Sequence, residues 1–408
     1  MVAITPARPD ITVPEFCPNP RCTNHYPAAE SDSPIWYTRH GCHHTKAHGM
    51  VQRFRCTGCG KTCSTQTFSI HYWTHRVIDI ENIEMLLKSC AGQRQIGRAI
   101  CASGRLVKNR CQRLARNYLA IYAEAASDHL IQEFCAFDGF ESFIRSQYFP
   151  VHMNILVGND SLAVYGVTGS IMRRKGRMTE AQKEFRAKID THWKPKPRAL
   201  VASCARVFQS IVNRIDLNRP DHPWTLWTDE HKAYSRALQQ VPTLSRALQH
   251  GRIQHCTVSS QVERDGRNFL FPVNYIDREI RKDMSDHVRE TVRFPREMNM
   301  AMQRLIIELG SHTFGKPIRI SGRCWTESEI THADAAGLTA SFQTRKLLKR
   351  RYLYRHVHSH AVQQGCAEWI SDIWLERYHN PPVVDPVSGK QLTLRVPGSD
   401  WRAAHFRA

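Results

Sequence analysis

Four cysteines near the start of the chain restrict its folding more than any other feature. Cys17 and Cys22 flank a Pro-Asn-Pro-Arg turn, Cys56 and Cys59 flank Thr-Gly, and thirty-three residues separate the two pairs. Tetrahedral zinc takes four thiolate or imidazole ligands, and two tight knuckles joined by a short strand pair supply them. The second knuckle, FRCTGCGKTCS, has the form strand–Cys-x-x-Cys-Gly–strand, and its glycines let the backbone fold around a metal. The spacing predicts a zinc ribbon over residues 1–70, with a structural Zn2+ on Cys17, Cys22, Cys56 and Cys59. Cys42, His43, His44, His48 and Cys63 lie nearby and read as bystanders. A ribbon this small buries little core, so the metal is expected to supply folding energy.

The charge balance narrows the partners. Fifty-seven Lys and Arg against 37 Asp and Glu leave the 408-residue chain at +20. The basic residues run through the whole length, and such a field favours polyanions and speeds their capture. No run approaches the 18 apolar residues of a membrane span, and the N-terminus lacks the charged-then-apolar pattern of a signal peptide. The expectation is a cytoplasmic, nucleoid-associated protein with no membrane partner. Fourteen cysteines in such a chain point to metal binding or buried thiols rather than a disulfide framework.

From Val77 the apolar spacing becomes helical. Ile80, Ile83, Leu86 and Leu87 follow a three-to-four period, and a break at Ala91-Gly92 leads to a short helix with Ile96 and Ile100 inward. Ser103 then stands where an N-cap belongs, before a helix carrying Leu106, Val107, Cys111 and Leu114. Two short helices joined by a tight turn, the second strongly basic, predict a helix-turn-helix over residues 77–125. Arg105, Lys108, Asn109, Gln112, Arg113 and Arg116 are expected on its exposed, DNA-binding side. An ordinary three-helix bundle with a solvated basic face is the other reading of the same pattern.

Beyond residue 130 the pattern becomes α/β. EFCAFDGFESF is a short apolar run that reaches Asp138-Gly139, and MNILVGNDSLAVYGVTGSIM alternates like a two-stranded hairpin. A long basic stretch and a helix across Ala202 to Ile215 follow. PWTLWTDEHKAY reads as a strand ending in Asp229, and VNYIDREIRKD opens a helix whose polar face holds Asn274, Asp277, Arg278 and Arg281. Aspartates after strands are also common turn formers and helix caps.

Taken together, CPNPRC, FRCTGCGKT, FDGF, WTDEHKAY and VNYIDREIRKD…RETVRF resemble the DDE transposases of bacterial insertion sequences, over roughly residues 15–320. The resemblance implies a ribonuclease H-like mixed-sheet catalytic domain over residues 130–320. It also implies phosphodiester hydrolysis and strand transfer at two Mg2+ or Mn2+ ions, on double-stranded DNA made of element terminal inverted repeats and target. Two such ions sit about 3.5–4 Å apart and take hard oxygen ligands. By resemblance Asp138 bridges both ions, and Asp229, on a strand beside the first, holds one. The family usually carries glutamate as third ligand, and this chain departs from it. Asn274 follows a valine where some relatives carry the acid, and Asp277 lies one helical turn further on the same face. Glu279 is rotated by about 200° from Asp277 and is expected to face away. Asp277 is the expected ligand, with Asn274 as a neutral co-ligand or substitute. His231, Lys232 and Tyr234 are expected near the scissile phosphate, and Arg278, Arg281 and Lys282 on DNA backbone. Two ends cut together imply at least a homodimer.

Residues 321–408 are expected as a basic C-terminal region, with a helix where Arg345, Lys346, Lys349, Arg350, Arg351 and Arg355 crowd around Leu347, Leu348, Tyr352 and Leu353. His356, His358 and His360 alternate beside it, and the tail from Pro381 reads as extended. A catalytically inactive DNA-binding regulator and a nuclease that cuts without joining share most of these features. The charge makes one prediction for all three. Duplex affinity, measured by fluorescence anisotropy between 50 and 200 mM salt, falls by about 10³-fold or more if six or more phosphates are contacted; a flat response removes DNA as the partner.

Overall fold

The computed structural model describes residues 17–19, 21–25, 35–72, 74–126, 129–218, 222–259, 261–288, 293–319, 330–339 and 366–385. The expected basic helix around 345–355, its alternating histidines and the tail beyond 385 lie outside them. The chain is mixed α/β, with a three-stranded and a five-stranded sheet. It divides into two units, Met1–His129 with Gln303–Trp374, and Leu130–Met302 with Leu375–Ala408. The first unit's N-terminal part ends at His129. Residues 303–319, expected with the second domain, group with the first unit instead. Among the described residues no helix is long and apolar enough to cross a membrane.

The first unit begins with antiparallel strands β1 (Tyr37–Thr45), β2 (Gly49–Cys56) and β3 (Thr62–Ser64). β1 is exposed along nearly its whole length, and the apolar packing among the described residues here is small, joining Phe54 and Cys63 to Trp36 and Tyr37, and the cysteines Cys17, Cys22 and Cys56 to Trp36. Three helices follow: α1 (Ile80–Lys88), α2 (Gln93–Ala99) and α3 (Gly104–Ala126). Asp79 caps α1 by accepting from the Asn82 amide at 3.0 Å, and Ser103 accepts from the Leu106 amide at 3.2 Å. Gly97 is required between α2 and α3: a Cβ there would sit 2.6 Å from the Ala102 carbonyl oxygen, closer than any side chain tolerates.

In the second unit the strands are β4 (Cys135–Ile144), β5 (Ser146–Gly158), β6 (Val164–Ile171), β7 (Trp224–Asp229) and β8 (Ile253–Val258). They lie in the order β6-β5-β4-β7-β8. β4, β5 and β6 run antiparallel, and β7 and β8 join parallel to β4. The described α-helices lying wholly within it are α4 (Glu180–His192), α5 (Ala199–Ile211), α6 (Lys232–Gln239), α7 (Pro242–Gln249) and α8 (Phe271–Asp283). From Phe149 to Gly158 every residue of β5 is buried, as a strand covered on both faces must be. Asn154 bonds to Ser203 of α5, whereas Arg281 of α8 lies over Phe140, the next residue after Asn154's partner Gly139. Successive strand residues face opposite ways, so α5 and α8 cover opposite faces.

Helix α9 (Met298–Gly315) and the short α10 (His332–Ala335) and α11 (Glu368–Trp374) complete the described chain. In the first unit the C-terminal half of α3 is buried almost all round from Asn117 to Ala123, so it forms a core rather than an exposed recognition surface. Its Tyr122 hydroxyl donates to the Leu309 carbonyl, and Tyr118 packs against Gly310, where a Cβ would clash with the ring.

Candidate metal knuckles and acidic site

The four expected cysteines converge. Each offers one sulfur, and all four lie within 4.8 Å of one another, the only such group of potential ligands among the described residues. The Sγ–Sγ distances are 3.6 Å for Cys17–Cys59 and 3.7 Å for Cys22–Cys56. A tetrahedron with bonds of about 2.3 Å has edges of roughly 3.8 Å, so a metal such as zinc fits between them. Backbone turns build both knuckles: the Cys22 amide donates to Asn19, and the Gly60 amide to Cys56 with Gly60 at φ +70°. Burial works against a charged Cys56 sulfur, but the Asn24 amide and the backbone N–H groups of Cys59 and Gly58 outweigh it and hold the thiol down to about 6. That thiolate is ready for a cation at neutral pH. A Cβ at Gly58 would meet Asn24 Nδ2 at 2.8 Å and push that side chain from its place beside Cys56.

Strand pairing assembles the acids. The parallel ladder between β4 and β7 runs Cys135–Leu226, Ala136–Trp227 and Phe137–Thr228. The next residue on each strand is an aspartate, Asp138 and Asp229, on neighbours spaced about 4.8 Å apart. Asp138 lies inside β4, which continues to Ile144, rather than at a strand end as the sequence suggested. Burial first, then the charge of Asp229, pushes its carboxyl up to about 6, against donation from the Gly139 amide at 2.7 Å and the Tyr234 hydroxyl at 2.9 Å. Asp277 comes from α8. Burial and then Asp138 push it up to about 8, against Arg281 and Arg264, and its Oδ1 is buried without a hydrogen-bond partner.

Asn274 is on the same helix, within its first turns rather than after a strand, and its Oδ1 accepts from Arg264 at 3.2 Å. Glu279 is paired with Lys282 at 2.9 Å. Tyr234 is 1% exposed and spends its hydroxyl on Asp138, so it cannot meet a phosphate in this arrangement. His231 caps α6 by accepting from the Ala233 amide, and its own amide donates to Asp229. Lys232 is exposed.

One neighbour escaped the sequence reading. His152 on β5 is 8% exposed, and its ring occupies the space over Gly139, where any Cβ would collide with it. The Asn154 amide nitrogen is turned to Thr168 and Ser203, so Asn154 Oδ1 accepts from His152 Nδ1 at 2.8 Å. Burial keeps the imidazole below its usual range. The only trace in the sequence is the glycine after Asp138, which has meaning only once β5 is aligned with β4.

The expected DNA contacts divide. Arg105 and Asn109 are exposed, and Lys108 and Gln112 are half-buried. Arg113 donates to the Ile70 and Tyr72 carbonyls, and Arg116 to that of Trp374, so both hold the unit together. Arg278 is exposed with its guanidinium over Tyr275, whereas Arg281 packs over Phe140 and reaches the Glu141 carbonyl. Lys282 pairs with Glu279 and Asp283. No protein-family model matches the chain, and no curated protein matches it.

Two outcomes follow from these geometries. Purified protein is expected to carry one zinc per chain by elemental analysis, and Cys56→Ser to carry close to none; full zinc content in that variant removes Cys56 from the site. For the acids, Asp138 and Asp277 hold protons above the ordinary value of 3.8. At these two groups the folded chain therefore binds more protons than the unfolded one between about pH 4 and 8, and both weaken the fold as pH rises through that window. Asp138→Asn and Asp277→Asn should each raise the melting temperature by roughly 2–6 °C at pH 8 without divalent ions, and by nothing near pH 4. No gain at pH 8 contradicts the placement of these carboxyls.

Proposed function

We propose that the chain is a DNA transposase of the two-metal, acidic-triad class with a zinc ribbon and helix-turn-helix front end. The observation that carries this reading is the pair Asp138 and Asp229 at one level of adjacent parallel strands, with the orphaned carboxylate oxygen of Asp277 close enough to feel Asp138. Buried carboxyls that hold their protons above the usual range, as Asp138 and Asp277 do, are unfavourable for a fold, and such groups cluster where charge will be used. The mixed five-stranded sheet, with β7 beside β4, agrees with a ribonuclease H-like domain.

Asp138, Asp229 and Asp277 would hold two Mg2+ or Mn2+ ions, which supply activation of the attacking oxygen and stabilisation of the leaving one. The protein's own groups set the site. Tyr234 and the Gly139 amide fix the Asp138 carboxylate, and Arg264 holds Asn274 beside Asp277. Exposed Arg264, Arg278 and Lys232 present cations where a phosphodiester would approach. Four cysteines around a structural Zn2+ would stiffen the ribbon, and Arg105 and Asn109 would meet double-stranded DNA, in an assembly of at least two chains. Neutral Asn274, engaged by Arg264, favours a second reading, a catalytically inactive sequence-specific regulator.

Strand cleavage and transfer on labelled duplex from the flanks of its gene, with Mg2+ or Mn2+, separates the two. Asp138→Ala, Asp229→Ala and Asp277→Ala are each expected to lose about 10²-fold or more of the activity while still binding the duplex. Bound duplex left uncut by the parent chain, or equal activity in the variants, selects the regulator.

A further inference from the structure

Between β8 and α8 the chain runs through an exposed connection that ends on two stacked rings. Phe269 lies face to face with Trp227, the ring centroids 3.9 Å apart and the planes within 3° of parallel. Trp227 covers one side of the Phe269 ring, yet the residue is still 46% exposed, so the other side is open. A single exposed apolar side chain is ordinary on a protein surface. This one is also held in place. Asn268 and Leu270 on either side of it are buried. The Leu270 amide donates to Asn268 Oδ1 at 2.8 Å, and Asn268 Nδ2 donates to the Glu263 carbonyl at 2.8 Å. The backbone is therefore pinned on both sides of Phe269, and Trp227 fixes the plane of its ring.

Position decides what such a ring can meet. Trp227 stands two residues before Asp229 on β7, so both side chains leave the same face of the sheet, about 7 Å apart along the strand. Leu270, next to Phe269, precedes α8, the helix that carries Asn274 and Asp277. Arg264, earlier in the same connection, bonds neutral Asn274 at 3.2 Å, and its charge acts on both Asp138 and Asp277. An open aromatic face, a guanidinium and the acids thus share one part of the second unit. Among the parts of a nucleic acid, the phosphate suits the guanidinium, and only the base offers a flat face to the ring. Stacking on a ring already held in plane costs little ordering and works with any base. Inside a paired duplex both faces of a base are covered by its neighbours, so the partner of this ring is a base that has left its stack.

We propose that Phe269, backed by Trp227, is a stacking platform for one unpaired base of a nucleic-acid strand held at the acidic site, with Arg264 on the adjoining phosphate. The assignment rests on the reading of that site as one that takes nucleic acid, and adds that the strand is unstacked there.

The test uses the full zinc-loaded chain, with Ca2+ in place of Mg2+, and a 24-base-pair duplex carrying one bulged 2-aminopurine, whose fluorescence falls when the base stacks on an aromatic ring. The same duplex with the 2-aminopurine paired to thymine is the second probe, and affinities are read by filter binding. The parent chain is expected to quench the bulged base and to bind its duplex about tenfold more tightly than the paired one. Phe269→Leu keeps an apolar cover on Trp227 but has no π-face. It should lose both the quenching and the preference, with paired-duplex affinity and melting temperature unchanged, whereas Phe269→Trp should keep both. Equal binding of the two duplexes by the parent, or undiminished quenching and preference in Phe269→Leu, overturns the platform and leaves the reading of the acidic site standing. An equal loss of affinity for both duplexes in Phe269→Leu overturns the unpaired base as the occupant. A parent chain that binds neither duplex overturns the nucleic-acid reading, and the platform with it.

Discussion

Two like charges at the same level of neighbouring strands set the terms for the second unit. The β4–β7 ladder brings Asp138 and Asp229 side by side, and a fold that does this must manage the repulsion. It does so with protons and donors: Asp138 is held by an amide and a tyrosine, and Arg264 and Arg281 act on Asp277 from outside. Gly139 belongs to the same arrangement, since its missing side chain lets His152 lie beside the pair. Each feature is costly alone, and together they describe the middle of a sheet organised around negative charge.

In the three-stranded sheet of the first unit the weak point is core size, not charge. Phe54, Cys63 and two aromatic neighbours cannot hold a three-stranded ribbon, so the cysteine cluster takes that role. Local backbone geometry prepares it, because the turns that aim amides at Cys56 are present in the polypeptide itself.

How much was legible in the sequence depended on whether a signal was local. The knuckles were, since Cys-x-x-Cys-Gly is a turn and a ligand pair at once. β4 and β7 were visible as apolar runs carrying an acid, although the strand continuing past Asp138 was not, because Gly139 reads as a stop. β8 went unseen: IQHCTV is polar at three of six positions and half-exposed, so its short alternation does not stand out. Helix α9 was missed for the opposite reason, being apolar around most of its circumference, as was α4, hidden in a basic stretch. Charge and spacing placed Arg113 and Arg116 on an exposed side, and they gave no sign that each guanidinium donates to backbone carbonyls of its own unit. The place of His152 over Gly139 depends on residues meeting across strands, which spacing along the chain does not encode.

The helix that completes the first unit is made late. Tyr122 of α3 reaches Leu309 and Thr313, 187 and 191 residues further along. During synthesis, the apolar flank of α3 around Tyr118, Leu119 and Tyr122 therefore emerges long before its partner, while the whole five-stranded sheet is translated in between. Contacts of such sequence separation form slowly. The nascent chain thus carries an uncovered aromatic stripe for many seconds at about 5–20 residues per second, which makes that interval, rather than the finished protein, the time when it is most open to chaperones and to self-association.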